Sequence, residues 1–116
     1  MFVRIESILQ EIASEVPNGS SVYLFGSAAR GGEYNDIDLL ILYNPECCLP
    51  RLAYLEHRAF VDKVTKALNT PVHLLLLTYA EEKSIRFIDR VSAIRIPHLP
   101  EGARHAMEGT RLASLY

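Results

Sequence analysis

The chain has 116 residues, 49% of them apolar and 22% charged, with a formal net charge of −2. That length holds one domain with its own core and leaves no room for a separate substrate domain. The slightly acidic balance excludes general electrostatic binding of nucleic acid, and no apolar run approaches the roughly 20 residues that cross a bilayer.

Residues 2–16 place Ile5, Ile8, Leu9, Ile12 and Val16 at helical spacing, with Glu6, Gln10, Glu11 and Glu15 facing away. The pattern predicts an amphipathic helix lying on the core. Its start carries an acid at Glu6 and no signal-peptide apolar segment, so the expected location is the cytoplasm. Pro17-Asn18-Gly19 stops the helix, and residues 21–26 read as a first strand. A second strand is expected over 36–43, with Ile37, Leu39, Ile41 and Tyr43 on one face and Asp36, Asp38, Leu40 and Leu42 on the other. Two largely apolar faces imply a central strand covered by helices.

After the turn at Asn44-Pro45-Glu46, a helix is predicted over 51–69, with Leu52, Leu55, Ala59, Val64 and Leu68 inward. Residues 72–78 then read as a third, buried strand, 80–92 as a further helix begun by Glu81-Glu82, and 93–96 as a short strand. Cys47 and Cys48 are adjacent and lack metal-ligand spacing, so both are expected to be reduced structural thiols. His57, His98 and His105 carry no readable signal. Beyond Pro97 the pattern weakens, and Met107, Leu112 and Leu115 fit either a mobile tail or a short helix that packs back or meets a partner.

The chemistry concentrates in one stretch. Asp36 and Asp38 stand two apart in a strand, so both carboxylates leave the same face. Side by side they repel one another unless a cation lies between them, and hard divalent ions prefer such oxygen ligands. The Gly26-Ser27 turn offers backbone N–H groups and a hydroxyl suited to phosphates. Together the two halves predict a metal-nucleotide site.

Phe25-Gly26-Ser27-Ala28-Ala29-Arg30-Gly31 followed by Asn35-Asp36-Ile37-Asp38-Leu39-Leu40-Ile41 resembles the signature of the DNA polymerase beta-like nucleotidyltransferase superfamily. Within it the chain looks like the minimal branch, the MNT proteins often paired with HEPN partners. The resemblance spans about residues 2–96, implying a nucleotidyltransferase-like domain over 1–96 and a C-terminal segment, 97–116, available for partner contact. It implies an α/β fold of the α+β type, a small mixed sheet with helices packed mainly on one face. Gly26 and Ser27 would cradle the phosphates, Arg30 would lie near them, and Asp36 and Asp38 would bind Mg²⁺, with Mn²⁺ the alternative. The implied reaction transfers a nucleoside monophosphate, AMP from ATP, to a hydroxyl of a protein or small molecule. The implied setting is the antitoxin of a HEPN-type pair, with homo-oligomerisation left open. The family usually places a third carboxylate on the later strand; here Pro71-Val72-His73-Leu74 puts histidine there. Imidazole can serve as a metal ligand or general base but supplies no negative charge. The rival reading is therefore a catalytically impaired relative that neutralises its partner by contact.

Overall fold

This computed structural model describes residues 2–97. The chain forms α1 (Phe2–Ala13), β1 (Ser21–Phe25), β2 (Ile37–Tyr43), α2 (Ala53–Leu68), β3 (Val72–Thr78), α3 (Tyr79–Ile85), α4 (Phe87–Val91) and β4 (Ile94–Ile96), with a 3-10 turn at Pro50–Leu52 before α2. The strands make one mixed sheet in the order β3-β2-β1-β4. β1 runs antiparallel to both β2 and β4, while β2 and β3 are parallel, joined through α2. The α+β class and the mixed sheet agree with the expectation. The segment 97–116, with Met107, Leu112 and Leu115, falls outside the described residues apart from Pro97. Among the described residues, no helix is long and apolar enough to cross a membrane.

The core lies between the sheet and the two long helices. Ile5 and Leu9 of α1 and Phe60 and Val64 of α2 bury against Val22, Leu24, Ile37, Leu39, Ile41 and Ile96. β2 is central, as its two apolar faces require, and Leu40 and Leu42 are buried on the opposite side. The short helices reach that opposite side. Phe87 meets Phe25 edge to face at 5.1 Å between ring centres. The Tyr79 hydroxyl donates to the Gly19 carbonyl (2.9 Å) and accepts from the Ser21 hydroxyl (2.6 Å).

Several elements depart from the sequence expectation. α1 ends at Ala13 rather than 16, because Glu15 and Val16 donate to the Ile12 and Ala13 carbonyls three residues back, tightening the last turn. Val16 remains buried. The inward stripe of α2 is Ala53, His57, Phe60 and Val64, not the one through Leu52, Leu55 and Ala59; Leu55 is 61% exposed. His57 disguised this stripe. It is fully buried because both ring nitrogens find partners: Nδ1–H donates to the Ala53 carbonyl (2.7 Å), and Nε2 accepts from the Ser20 hydroxyl (2.8 Å).

β3 is an edge strand of intermediate burial rather than a buried one. Its four leucines suit both faces, but periodicity carries no information on strand order. The single helix expected over 80–92 breaks at Arg86, whose φ of 53° is left-handed. The Glu82 carboxylate there accepts from the Ile88 N–H (2.9 Å) and starts α4. The start of α3 is a reciprocal cap, with Thr78 Oγ1 accepting from Glu81 N–H (3.1 Å) and the Glu81 carboxylate accepting from Thr78 N–H (2.8 Å). Thr78→Ala is expected to cost about 1 kcal/mol in urea unfolding, as an N-cap loss does. An unchanged midpoint would show that the packing of Tyr79 alone holds α3. Both cysteines are free thiols. Burial, reinforced by the Glu56 carboxylate, pushes the Cys48 thiol up, which keeps it an inert, protonated side chain.

Candidate active site

Three strand ends build the site. β1 finishes at Phe25, which pairs with Asp38 of β2, and Asp38 pairs in turn with His73 of β3. Residues opposite one another share a face, so the register alone brings Phe25, Asp38 and His73 to one side. Asp36, the expected start of the second strand, stands just before β2, which begins one residue later at Ile37. The Ile37 N–H donates to the Pro71 carbonyl (2.9 Å), tying the approach to β2 against the approach to β3.

His73 Nδ1 lies 3.4 Å from Asp36 Oδ2 and 3.5 Å from Asp38 Oδ1. One ligand atom from each of the three falls within 4.8 Å of the others. The donor chemistry fits a divalent cation, since two carboxylates supply the charge and the imidazole a third donor. Both acids are partly buried, which weakens solvent screening of their mutual repulsion and strengthens the case for a counter-ion.

The turn after β1 is shaped around this cluster. Gly26 has φ +79°, and a Cβ there would lie 2.3 Å from Asp38 Oδ2. The chain can therefore pass against the carboxylate only as glycine. Beyond it the carbonyls of Gly26, Ser27 and Ala28 accept from Ala29, Arg30 and Gly31, and Ser27 O also accepts from Gly32. Ala28 anchors the turn in the core. Among the described residues the N–H groups of Ser27 and Ala28 donate no hydrogen bond. Arg30 is exposed on this turn, and its guanidinium pairs with no acid among the described residues. The structure thus gathers Asp36, Asp38 and His73, sets Gly26 against them, and leaves the Arg30 guanidinium without an acidic partner among the described residues. The sequence reading missed that Phe25 shares a face with Asp38. The antiparallel register with Asp38 is what places it there, and only its position next to Gly26 hinted at this.

A profile of the nucleotidyltransferase domain matches residues 5–96, which include every residue of this cluster. The chain belongs to the nucleotidyltransferase domain family. Two solved structures share the fold of this nucleotidyltransferase domain. One is a chain from the complex of tri-AMPylated Shewanella oneidensis HEPN toxin with MNT antitoxin, 18% identical, with a TM-score of 0.57 over 97% of this chain and 85% of that one. The other comes from a toxin-antitoxin crystal structure with AMP-PNP, also 18% identical, with a TM-score of 0.55 over 93% and 86% of the two chains. No curated protein sequence matches the chain. At such identity the likenesses bear on the fold, a small mixed four-stranded sheet with four helices.

Proposed function

We propose that this nucleotidyltransferase domain transfers the nucleoside monophosphate of a triphosphate, AMP from ATP, to a hydroxyl on a separate protein or small molecule. The observation that carries this reading is the close approach of the Gly26 turn to the Asp36–Asp38 carboxylates on one face. Asp36 and Asp38 would hold a divalent ion, Mg²⁺ or Mn²⁺, whose charge would offset that of the phosphates. Ser27 and Ala28 N–H groups and the Ser27 hydroxyl donate to the β- and γ-phosphates, and Arg30 approaches them from the turn. The acceptor oxygen bonds to the α-phosphorus, the bond to the bridging oxygen breaks, and pyrophosphate leaves. The acceptor proton passes to water.

In this reading the acceptor sits on a separate partner. The likeness to a solved structure of an MNT antitoxin with an AMPylated HEPN toxin supports an antitoxin role with a HEPN-type partner. A second reading rests on His73. With imidazole where a third carboxylate would activate the acceptor, the chain neutralises its partner by contact rather than by transfer.

The deciding experiment is calorimetric titration of ATP with Mg²⁺ or Mn²⁺ into wild type and Asp36→Asn/Asp38→Asn. Metal-dependent binding is expected in wild type and absent in the double variant. Wild type that binds ATP with neither ion sinks the transferase reading and leaves contact with a partner.

A further inference from the structure

The described cluster joins two hard oxygen donors to one nitrogen, and we infer that it selects a first-row transition cation over Mg²⁺, with His73 Nδ1 as third ligand. This rests on the metal-site reading above and adds which ion is held and by what.

The geometry supports direct ligation. Nδ1 lies 3.4 Å and 3.5 Å from the two carboxylate oxygens. Neighbouring donors on an octahedral ion with bonds of about 2.1 Å stand about 3 Å apart, so a small contraction closes the set. The backbone that carries His73 is held, because β3 is in parallel register with β2 and Pro71 accepts from Ile37. The His73 side chain is 66% exposed, and the carboxylates are met by Nδ1. The Nε2–H of the neutral ring can therefore donate to water, which leaves the Nδ1 lone pair for a metal.

The chemistry then discriminates between ions. Mg²⁺ takes oxygen ligands almost exclusively and gives up water reluctantly, so imidazole in place of a carboxylate removes both charge and a suitable donor. Ions of the Mn²⁺ to Zn²⁺ series accept nitrogen, with affinity rising along the series. Mn²⁺ is the probe of choice here, because the exposed Cys47 thiol offers Zn²⁺ a competing site.

The test is Mn²⁺ titration of the full chain without nucleotide, followed by electron paramagnetic resonance, with Mg²⁺ as competitor. Wild type is expected to hold Mn²⁺ at least about tenfold more tightly than Mg²⁺, and spin-echo modulation should show a directly bound ¹⁴N. His73→Ala should lose the nitrogen coupling and about tenfold of Mn²⁺ affinity with Mg²⁺ affinity little changed, while His73→Asp should narrow the preference by strengthening Mg²⁺. His73 is exposed, so both variants should fold, which circular dichroism checks. Equal Mn²⁺ and Mg²⁺ affinity in wild type, or Mn²⁺ binding that ignores His73→Ala and disappears in Asp36→Asn/Asp38→Asn, overturns the inference and leaves the carboxylate site standing. Failure of wild type to bind any cation overturns both.

Discussion

Gly26→Ala is expected to lower stability by only about 1–2 kcal/mol and yet to abolish metal-dependent ATP binding. The two effects have separate causes. Alanine at φ +79° carries the left-handed backbone penalty whatever surrounds it. In addition its Cβ would meet Asp38 Oδ2 at 2.3 Å and Asp38 Cγ at 3.2 Å. The nearest atom is the end of a short side chain, so the carboxylate rotates away while the strand stays in place. Stability changes little, and Asp38 leaves the position it shares with Asp36 and His73. Gly31→Ala is the internal control. Gly31 has φ +78° but nothing within 4 Å of an added Cβ, so it should show the strain without the loss of binding. Thermal melting and ATP titration on the two variants separate the effects. If Gly26→Ala binds ATP as wild type does, the placement of the Asp38 carboxylate does not matter for the nucleotide.

The second large effect is on stability alone. His57→Leu is expected to cost about 2–4 kcal/mol, a substantial share of the 5–15 kcal/mol typical of a domain. Leucine roughly preserves volume, so the cost comes from polarity rather than from a cavity. The Ser20 hydroxyl is buried and hydrogen-bonds to the imidazole at 2.8 Å. With leucine opposite, it loses its partner in a place water does not reach, which costs about 1–3 kcal/mol by itself. Ser20→Ala removes that orphan, so the double variant should be no less stable than His57→Leu. Guanidinium unfolding of wild type, both single variants and the double variant closes the cycle. A double variant that loses the sum of the two single losses would show that the Ser20–His57 bond contributes nothing, and the stability of α2 would then rest on Phe60 and Val64.

His57 also shows where sequence reading fails. The burial stripe of α2 advances by four, three and four residues, which is regular helical spacing. A charged or polar residue on a stripe ordinarily marks the solvent side, so periodicity favours the leucines beside it. What makes His57 an interior residue is a hydroxyl 37 positions earlier in the chain. No window of helical length contains that information. The exposed leucines at the start of α2 and in the turn before it have no such excuse in the periodicity. Leu52 and Leu55 look inward by type and lie outward by angle.

Apart from the break at Arg86, the sequence by itself determined the kinds and order of the elements, because helical and strand periodicity and turn residues act over a few positions. It also placed Gly26, Ser27, Asp36 and Asp38 together in kind, since two acids at a strand's alternate positions share a face in any fold. Tertiary structure decided the rest. Strand order made β3 an edge, and register set His73 against the acids and Phe25 across from Asp38. The close passage of Gly26 over a carboxylate twelve residues later was decided in the same way. These are pairings between segments far apart in the chain, whose geometry depends on how sheet and helices bury one another, and burial is a property of the assembled core rather than of any local stretch.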